Sequence, residues 1–556
     1  MNIEIRNSVI SVYYIKMSGA KARFEYKAET DQVPHPSART RGEYLSLLNI
    51  DHPPTVIRGT GIICTIGPSS QSVDTLKKLI ESGLNIARLN FSHGTYEYHQ
   101  KTIDNVRAAA LSSLPHVVGI ALDTKGPEIR TGFMKNGNDV FYKKGSIIKV
   151  SCDPAFEREC SETQQYLDYK DLTTSIKPGG HIVIADGNFL LEVKEIIDSK
   201  NLLAEVLNDT TIGSRKNCNL PGAIITLPSV SEKDAQDLQF GVKNKVDMVF
   251  ASFIRKASDV EDVRKALGEE GKYIKVISKI ENHEGVVNVD EIIAASDGIM
   301  VARGDMGMEM PAEKVFLAQK ILITRCNRAG KPVICATQML ESMVKNPRPT
   351  RAEITDVGNA VVDGADCVML SGETANGLYP VEAVDIMHKI CRQAATVQFL
   401  RDSFFERAGK DDFTDITETT SISAVTASFK TNACAIIVLT TSGRTAWTLS
   451  KYRPRCPIIV ITRDEHIARV CHLYRGLFPL VYLPNRNRTW HDDMYDRLDF
   501  GIARGRDMGF IKSGSFIIFV SGWHPGASST NTVQIMQVQD DSVIGDRKNI
   551  IFENPT

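Results

Sequence analysis

Eight short apolar runs recur between residues 62 and 372, and most are followed by a polar or glycine-bearing turn and then by an amphipathic stretch. Helical patterns such as VDTLKKLIESG and SDVEDVRKALGEEG between the runs indicate buried strands that alternate with helices. The runs are IICTIG (62–67), NIARLN (85–90), VVGIALDT (117–124), MVFASF (248–253), YIKVISKIE (273–281), GIMVAR (298–303), PVICAT (332–337) and CVMLSG (367–372). Eight such units predict an α/β fold with a closed (β/α)8 barrel rather than an open sheet.

The pattern changes between the third and the fourth run. Residues 127–227 hold short alternating segments and turn signals, among them YKKGSIIKVS (142–151) and DSKNLLAEVLND (198–209), which are typical of a small all-β domain. The insertion leaves the barrel at the carboxyl end of a strand, where barrel enzymes carry their active sites. We therefore predict a small inserted β-barrel domain that acts as a lid.

After about residue 398, the runs AIIVL, PIIVIT, LVYLP and SFIIFVSGW alternate with helical stretches and predict a separate open α/β domain. The chain is thus divided into five predicted segments. They are a tail with a short helix near Tyr44–Leu48 (1–57), the first part of the barrel (58–126), the lid (127–227), the second part of the barrel (228–398) and the C-terminal α/β regulatory domain (399–556).

Composition narrows the class of protein without identifying a reaction. The 556 residues are 42% hydrophobic and 24% charged, and 66 basic against 67 acidic residues give a formal net charge of -1. This balance argues against a nucleic-acid coat or a polybasic membrane surface. No apolar run approaches the ~18 residues of a membrane span, and the stretch Val9–Ile15 lacks a cleavage-type site, so we expect no secretory signal. The eleven cysteines form no CxxC pair and are expected to be free thiols.

Polar residues follow the ends of several predicted strands. Arg88, Asn90 and Ser92 in IARLNFSHG are spaced by two, so they share one face of an extended segment. The guanidinium group suits a phosphate, and the two neutral oxygens suit a weakly held monovalent cation. A hydrogen-bond network at the end of the strand is the alternative interpretation.

The segment LDTKGPEIRTG brings Asp123, Thr124, Lys125 and Arg130 close together in sequence. An aspartate at the end of an apolar strand is costly to bury unless it is paired or bound to a metal. An aspartate that caps the following turn would need neither, and the residues leave both interpretations open.

A stronger indication comes from VISKIENHEG and MVARGDMG. Lys279 and Glu281 point to the same side of one strand end, and Asp305 follows the next strand. Glu281 and Asp305 would supply two carboxylate oxygens to Mg²⁺, and Lys279 would neutralise charge on a moving phosphoryl group. The alternative is a buried Lys–Glu ion pair with no catalytic role.

Three weaker features fit the same kind of site. Gly304 precedes a predicted helix and lets backbone N–H groups approach an anion, although a plain turn would also use glycine. Thr337 ends a strand, where its hydroxyl would pass a proton, hold a water or cap a helix. In the C-terminal domain, a hydroxyl-rich turn around Gly443 opens a helix, which suits either an anion or ordinary capping. The turn contains Thr440, Thr441, Ser442 and Thr445, and the loop 521–532 would close over the same ligand.

Several long motifs resemble those of the pyruvate kinase family, in the order and spacing of that family. They are TGIICTIGPSS, NIARLNFSHGT, ALDTKGPEIRTG, SKIENHEGV, DGIMVARGDMG, NRAGKPVICATQMLESM, PRPTRAE and VMLSGETA. The resemblance covers about residues 44–556. It implies a cytoplasmic homotetramer that transfers the phosphoryl group of phosphoenolpyruvate to ADP, giving pyruvate and ATP, in the last step of glycolysis.

The resemblance also implies the roles of matching residues. Five residues resemble the family's phosphoenolpyruvate contacts: Arg88, Lys279, Gly304, Asp305 and Thr337. Of these, Lys279, Thr337 and Arg88 are the expected catalytic residues. The expected Mg²⁺ (or Mn²⁺) ligands are Glu281 and Asp305, and the expected K⁺ ligands are Asn90, Ser92, Asp123 and Thr124. The expected nucleotide contacts are Asn90, Phe91, Ser92, His93, Arg130 and Lys216. The expected fructose 1,6-bisphosphate effector site comprises Thr440, Thr441, Ser442, Gly443, Arg444, Thr445, Trp490, Arg497 and His524, with the loop 524–529.

The implied reaction has two steps. Lys279 and the divalent cation stabilise the phosphoryl group as ADP attacks it, and the enolate left behind is protonated through Thr337 and its water. K⁺ would offset anionic charge between the two substrates.

The chain departs from the family pattern at three places. Ile225-Thr226 stands near the lid hinge where the family often has Val-Asp, His524 stands where activated animal forms commonly carry Arg, and Thr441 replaces a Lys of some members. Two lost cations weaken binding of a sugar bisphosphate, whereas Arg444 and Arg497 remain. We therefore hypothesise a weaker or pH-sensitive response to the effector, with His524 as the titrating group.

Two other functions compete with an active kinase. A catalytically silent metabolite-binding regulatory homologue should have lost Lys279, Glu281, Asp305 or Thr337, and all four are present. An aldol-type lyase that uses metal-bound pyruvate would share the carboxylate pair but would have no need of the lid or of a monovalent cation. Dependence of turnover on a nucleotide distinguishes this lyase from a kinase.

Overall fold

The computed structural model describes residues 38, 40–51, 53–111, 117–398, 400–409, 413–483, 489–524, 526 and 529–539, with only the backbone of 401–403. Most of the predicted tail (1–57) therefore lies outside the described residues. Its described part contains helix α1 (Arg41–Ser46), which begins earlier than the predicted Tyr44–Leu48. The Thr40 side chain accepts a hydrogen bond from Glu43 N and the Glu43 side chain accepts one from Thr40 N, so a capping box fixes this start.

The strands fall into three groups along the chain. The first three strands belong to the barrel and are β1 (Gly61–Thr65), β2 (Ile86–Asn90) and β3 (Gly119–Asp123). The inserted unit contains β4 (Ile129–Arg130), β5 (Val140–Tyr142), β6 (Ile147–Ser151), β7 (Gln164–Tyr166), β8 (His181–Ile184), β9 (Phe189–Ile196), β10 (Asn201–Val206), β11 (Thr210–Ile212) and β12 (Asn217–Asn219). The barrel resumes with β13 (Met248–Ala251), β14 (Lys275–Ile280), β15 (Gly298–Ala302), β16 (Val333–Ala336) and β17 (Cys367–Leu370). The C-terminal unit contains β18 (Ala435–Leu439), β19 (Ile458–Thr462), β20 (Leu477–Val481), β21 (Phe516–Gly522) and β22 (Thr530–Gln537).

The helices mostly lie between successive strands. Up to the end of the barrel they are α2 (Val73–Ser82), α3 (Tyr96–Leu111), α4 (Leu172–Ser175), α5 (Glu232–Lys243), α6 (Ala257–Leu267), α7 (His283–Val287), α8 (Val289–Ala295), α9 (Arg303–Glu309), α10 (Val315–Ala329), α11 (Arg351–Asp363), α12 (Gly372–Ala375) and α13 (Pro380–Ala395). They continue with α14 (Leu400–Ala408), α15 (Ile416–Thr431), α16 (Arg444–Lys451), α17 (Glu465–Val470) and α18 (Trp490–Asp507). Within the described ranges, none of them is both long and apolar enough to cross a bilayer.

Strands β1–β3 and β13–β17 form a closed barrel in the order β1-β17-β16-β15-β14-β13-β3-β2, and every neighbouring pair is parallel. The predicted eight-stranded barrel is confirmed, since each of the eight apolar runs coincides with one of these strands, to within one residue at the start of β1. Their residues are almost all buried, because helices cover the outside and side chains fill the inside.

Inward-facing side chains change character along the barrel strands. The lower interior is apolar and includes Ile63, Ile86 and Ile277. Two residues further along the same strands, the inward positions become polar, as at Arg88 and Lys279. The carboxyl end of the barrel therefore contains a buried polar layer, which is where the candidate site lies.

The C-terminal unit closes the opposite end of the barrel. Val470 from the end of α17 and Leu473 from the following 3₁₀ helix (Cys471–Leu473) belong to the same apolar cluster as the barrel interior. The amino ends of the strands are thus sealed by packing, and access to the barrel is through its carboxyl end.

The inserted unit is built mainly from β-strands, as predicted, and contains one short α-helix, α4. Its main sheet has the order β4-β12-β8-β9-β10-β6-β7, and β5 pairs with β11 beside it. An isolated bridge between Thr131 and Leu167 joins the two edges of the main sheet, so the sheet closes on itself around its own apolar core.

The C-terminal unit is an open sheet in the order β20-β19-β18-β21-β22, which agrees with the predicted open α/β domain. The pattern analysis missed β22, which pairs antiparallel with β21 at the edge of the sheet. It assigned residues 521–532 to a loop, but Ser521 pairs with Thr532 in this ladder. Strand β22 is only partly buried, and its polar composition gives no clear apolar alternation.

A buried carboxylate fastens the C-terminal unit to the barrel. Asp247, just before β13, is 1% exposed and accepts hydrogen bonds from Ile120 N (2.9 Å) and Arg469 Nε (2.9 Å). Its Oδ1 also lies 3.0 Å from His466 Nδ1. Two residues around α17 are therefore tied to the amino end of a barrel strand.

We expect Asp247→Asn to destabilise the protein by about 2 kcal/mol, because the hydrogen bonds of Arg469 and His466 to a buried carboxylate would be weakened. The measurement is the urea midpoint of unfolding by circular dichroism. Asp290→Asn is the matched control, since the Asp290–Arg325 pair (3.0 Å) is largely exposed and should contribute under about 1 kcal/mol. Equal shifts for the two variants would contradict the fastening role.

Candidate active site

Arg88 is held at the end of β2 by oxygens of two neighbouring strands. Its Nε donates to Asp123 Oδ2 (2.6 Å) and its Nη1 donates to Thr65 Oγ1 (2.8 Å). Arg88 and Asp123 are both buried, so the pair is shielded from solvent. The predicted alternative in which Asp123 only caps a turn is wrong, because its carboxylate pairs with cations.

Lys279 on β14 joins this pair to a second carboxylate. Its Nζ lies 3.3 Å from Asp123 Oδ1 and 2.9 Å from Glu281 Oε1. It also donates to Ser252 Oγ (2.8 Å), which in turn donates to the carbonyl oxygen of Thr124 (2.6 Å). Glu281 Oε2 accepts a hydrogen bond from Phe253 N (2.5 Å), so both of its oxygens are engaged.

The lysine and the glutamate of this network differ in how far neighbouring charges stabilise their ionised forms. Burial opposes the ammonium form of Lys279, but Asp123, Glu281 and Asp305 raise its pKa above the ordinary value. Burial raises the pKa of Glu281 to about 8, although Lys279 acts in the opposite direction, and Asp305 adds to the rise. The two carboxylates Glu281 and Asp305 therefore repel each other in a setting that suits a further cation.

Asp305 and Gly304 lie in the first turn of α9, beside Thr337. Gly304 N donates to Thr337 Oγ1 (2.8 Å), and the hydroxyl donates to the carbonyl oxygen of Ala336 (2.6 Å). The structure therefore brings together all five residues that were predicted to contact phosphoenolpyruvate, on β2, β14, α9 and the end of β16.

The backbone around Thr337 is held in an unusual conformation. Thr337 has φ 67° and Gln338 has φ 55°, in the left-handed region that non-glycine residues rarely adopt. Arg303 supports this turn by donating to the carbonyl oxygen of Thr337 (2.9 Å), while Asp356 accepts from both Nη atoms of Arg303 (2.7 Å each). No helix begins at Thr337, so the alternative interpretation of a helix cap is wrong.

The segment after β2 lies next to Asp123. The strand register pairs Asn90 with Asp123, and Asn90 Oδ1 accepts a hydrogen bond from Ser92 N (3.2 Å). Phe91 is buried and its ring stacks on His99 at 4.0 Å, whereas the side chains of Ser92 and His93 are exposed. A strand-end hydrogen bond is thus present beside the exposed side chains of Ser92 and His93.

The base of the lid presents two further cations. Arg130 on β4 pairs in register with Asn217, and Lys216 precedes that residue on the neighbouring strand. Arg130 Nη2 pairs with Glu128 Oε2 (2.8 Å), and Lys125 pairs with the same carboxylate (3.3 Å). Lys125 and Arg130 therefore contact Glu128, although the sequence grouped them with Asp123.

Two connections join the lid to the barrel. At the first, Gly126 has φ 73° and its N–H donates to Asp234 Oδ1 (3.0 Å). At the second, Arg255 donates to the carbonyl oxygens of Ile225 and Leu227. Thr226, between those two residues, donates through Oγ1 to Asp171 Oδ2 (2.5 Å) within the lid.

A direct contact also links the lid to the candidate site. Asn219 Nδ2 donates to Glu309 Oε1 (2.6 Å) at the end of α9. Burial raises the pKa of Glu309, and the hydrogen bond from Asn219 opposes that rise. The helix that carries Asp305 therefore touches the lid at its other end.

Pattern analysis missed Ser252 and Thr65, which contact Lys279 and Arg88. Both lie in apolar runs that were recognised, MVFASF and IICTIG, at the carboxyl ends of barrel strands. A polar residue at that position was the available signal. Its contacts depend on which strands are neighbours, which the local pattern does not reveal.

Comparison with known proteins identifies the family. The family model described as "Pyruvate kinase, barrel domain" matches residues 57–384 of this sequence. The family model described as "Pyruvate kinase, alpha/beta domain" matches residues 418–536. The chain belongs to the pyruvate kinase family. It is therefore a phosphotransferase, and the resemblance noted in the motifs is confirmed.

Curated relatives cover nearly the whole chain. "Pyruvate kinase PKLR" of Homo sapiens is 53% identical over 520 residues, which are 92% of this chain and 90% of the relative. "Pyruvate kinase" of Candida albicans is 49% identical over 496 residues, which are 89% of this chain and 98% of the relative. "Pyruvate kinase" of Schizosaccharomyces pombe is 50% identical over 484 residues, which are 87% of this chain and 95% of the relative.

A second pocket lies in the C-terminal unit, at the carboxyl ends of its strands. Seven residues of the predicted effector site line it, and Ser529 and Thr530 line it as well. The seven are Thr440, Thr441, Ser442, Arg444, Thr445, Trp490 and Arg497. The structure therefore brings the hydroxyl-rich turn and α18 to one cavity.

The cations of this pocket differ in their surroundings. Arg497 is buried, pairs with Asp493 (2.8 Å) and lies over the Trp490 ring (5.2 Å to the centroid). Burial lowers the pKa of Arg497, and Asp493 opposes this effect. Arg444 is more exposed and pairs with Asp415 (2.6 Å).

His524 does not line the pocket. Its side chain is exposed, and its carbonyl oxygen accepts a hydrogen bond from Ser529 Oγ (3.0 Å). Part of the predicted 524–529 loop, at residues 525, 527 and 528, lies outside the described residues.

Gly443 fixes the hydroxyl-rich turn, so we expect Gly443→Ala to damage it. Gly443 has φ 84°, and a Cβ there would lie 2.5 Å from Trp447 Cζ2. Gly514 has a similar φ of 81° with nothing within 4 Å, so Gly514→Ala isolates the conformational strain of about 1 kcal/mol. Gly443→Ala should lower stability by a further ~1–3 kcal/mol, measured by denaturant unfolding. Equal losses in the two variants would show that the Trp447 contact is unimportant.

Proposed function

We propose that the chain transfers the phosphoryl group of phosphoenolpyruvate to ADP, giving pyruvate and ATP. The observation that carries this proposal is the buried network in which Asp123 pairs with Arg88 and Lys279 while Lys279 also pairs with Glu281. Two cations and two carboxylates at the carboxyl end of a barrel suit a substrate with a phosphate and a carboxylate, together with a bound cation. Membership of the pyruvate kinase family supports the same reaction.

Glu281 and Asp305 are the proposed ligands of the divalent cation that this family of kinases requires, Mg²⁺ or Mn²⁺. The donors fit such an ion, because both are carboxylates, and burial together with repulsion from Asp305 raises the pKa of Glu281. When bound, the ion supplies Lewis-acid stabilisation of phosphoryl charge.

Four residues around the β2–β3 pair are the proposed ligands of K⁺. The donors are oxygens only, and the register that pairs Asn90 with Asp123 supports their proximity. They are Asn90, Ser92, Asp123 and Thr124.

The side chains of the site would act in the following way. Arg88 has Nε and Nη1 engaged by protein oxygens, so its position is fixed, and Nη2 would donate to a phosphate oxygen. Lys279, kept in the ammonium form by three carboxylates, neutralises charge on the phosphoryl group during transfer. The Thr337 hydroxyl, or a water held by it, then delivers a proton to the enolate carbon.

The nucleotide would bind between the barrel and the lid. Asn90, Phe91, Ser92 and His93 form the barrel side, and Arg130 and Lys216 form the lid side. Exposure of Ser92, His93 and Lys216 supports this arrangement, because those side chains are available to a ligand.

The competing functions are less well supported. A silent homologue has no need of the strained turn at Thr337, whose φ of 67° is maintained by Arg303. An aldol-type lyase has no need of the lid cations Arg130 and Lys216.

We expect Lys279→Met to lower kcat by at least ~10³-fold, because the charge at the phosphoryl group is lost. Turnover is measured as pyruvate formation with both substrates, Mg²⁺ and K⁺. Lys275→Met is the matched control, since Lys275 lies on the same strand, pairs with Asp297 (3.3 Å) near its amino end and should leave kcat nearly unchanged. A wild-type protein that is silent with both substrates would favour the regulatory homologue, and turnover without nucleotide would favour the lyase.

The pocket of the C-terminal unit is the proposed effector site for fructose 1,6-bisphosphate. The hydroxyl-rich turn at the start of α16 and the buried Arg497 support recognition of a phosphate. Thr441 would make the response weak. The His524 side chain does not line the pocket, but its carbonyl oxygen accepts a hydrogen bond from the lining residue Ser529, and through this connection His524 would add pH sensitivity.

We expect the effector to lower the phosphoenolpyruvate concentration that gives the half-maximal rate. Arg444→Met should weaken effector affinity at least ~10-fold, so that a higher effector concentration is needed for the same activation. Activation curves recorded between about pH 6 and 8 test the histidine hypothesis, which requires stronger activation at the lower pH. Arg325→Met, in an exposed barrel ion pair, is the control. Flat curves at every pH would contradict the effector proposal.

The proposed function also includes an assembly state and a cellular location. The chain would form a homotetramer and act in the cytoplasm, in the last step of glycolysis, as the family resemblance implies. Exposed large apolar side chains on α10 and α11 support an assembly surface. They are Phe316, Leu317 and Ile354.

A further inference from the structure

Three arginines surround one aspartate where the C-terminal unit meets the barrel. Asp366 precedes β17, Arg453 follows α16, Arg475 precedes β20, and Arg407 lies in α14. Asp366, Arg453 and Arg475 are 3%, 6% and 9% exposed. This arginine cluster (Arg407, Arg453 and Arg475) lies at the amino end of β17, opposite the candidate active site.

The Asp366 carboxylate is already occupied. Its Oδ1 pairs with Arg453 Nη2 (2.9 Å) and accepts from Arg475 N (3.2 Å), and its Oδ2 accepts from Val333 N (3.0 Å). Arg453 Nη2 also donates to Asn327 Oδ1 and to the carbonyl oxygen of Gly364 (3.2 Å). One carboxylate therefore serves one guanidinium side chain and two backbone N–H groups.

Each arginine retains a buried nitrogen without an acceptor among the described residues. These atoms are Arg407 Nη1, Arg453 Nη1 and Arg475 Nε. Buried N–H groups are normally paired, because an unpaired donor costs about 1–3 kcal/mol. Three such donors on three neighbouring cations indicate that an acceptor of negative charge belongs between them.

The electrostatics of the cluster agree with this geometry. Burial, with repulsion from Arg453, lowers the pKa of Arg475 to about 9 and that of Arg407 to about 10, and Asp366 only partly opposes the change. Arg453 itself has φ 51°, in the left-handed region that non-glycine residues rarely adopt.

We propose that this junction binds a small inorganic anion, held by the unpartnered N–H groups of Arg407, Arg453 and Arg475. Guanidinium groups match the oxygens of phosphate or sulfate, and a halide would satisfy the same donors. The site is separate from the barrel mouth and from the pocket at Thr440–Thr445, which both lie at carboxyl ends of strands. An anion here would tie the barrel, α14 and the C-terminal unit together.

Crystals of the full-length chain provide the direct test. Soaks in bromide and in selenate should give an anomalous difference peak within ~3.5 Å of the three unpartnered nitrogens. A peak with selenate alone identifies an oxyanion site, and a peak with bromide alone identifies a halide site. Ordered waters at the junction in both soaks would overturn the proposal.

Thermal unfolding at constant ionic strength tests the site in solution. Addition of the anion seen in the crystals (phosphate if selenate binds, chloride if bromide binds) should raise Tm saturably by about 3 °C. Arg407→Met should lose at least half of this rise. Arg325→Met, which removes an exposed arginine of the barrel, should retain it. An equal rise in wild type and Arg407→Met would overturn the proposal, and the crystallographic result remains decisive if Arg407→Met fails to fold.

Discussion

Asp123 is shared between two cations, and the arrangement of the barrel mouth depends on that sharing. One oxygen holds Arg88 and the other faces Lys279, at 2.6 Å and 3.3 Å. All three groups are buried, so their charges interact with little screening by solvent. Glu281 extends the same chain of charges to the edge of the region where a divalent cation would bind. The site is therefore organised before any substrate arrives.

This organisation relies on backbone geometry as much as on charge. The period of two along a strand sets Lys279 and Glu281 on one face, with Ile277 below them in the apolar interior. Apolar packing and the Asp247 contacts at the sealed end prevent the strands from shifting against one another. The polar layer can thus tolerate buried charge, since a rigid apolar layer supports it from below.

Much of this could be predicted from the sequence, for identifiable reasons. The eight barrel strands are almost entirely buried, so each appears as a continuous apolar run, and the functional side chains lie at the ends of those runs. Ser252 and Thr65 were missed because their importance arises from neighbours far away in sequence. Strand β22 was missed because a partly exposed edge strand has no strong apolar pattern. Lys125 and Arg130 show the limit of proximity along the chain, since both contact Glu128 and neither contacts Asp123. The roles assigned to individual site residues stay predictions.

The lid is attached to the barrel by two connections, one at Gly126 and one near Arg255. The hydrogen bond from Gly126 N to Asp234 Oδ1 joins a residue just before the insertion to a residue just after it. The two barrel segments that flank the lid are therefore held together by a contact that involves no lid residue. In terms of chain entropy, the lid is a long loop whose closure costs little more than that of a short one. Strands β3 and β13 can therefore pair before the lid has folded, and the barrel and the lid can acquire their cores in either order. An ancestral barrel could have accepted such an insertion without losing its own ability to fold.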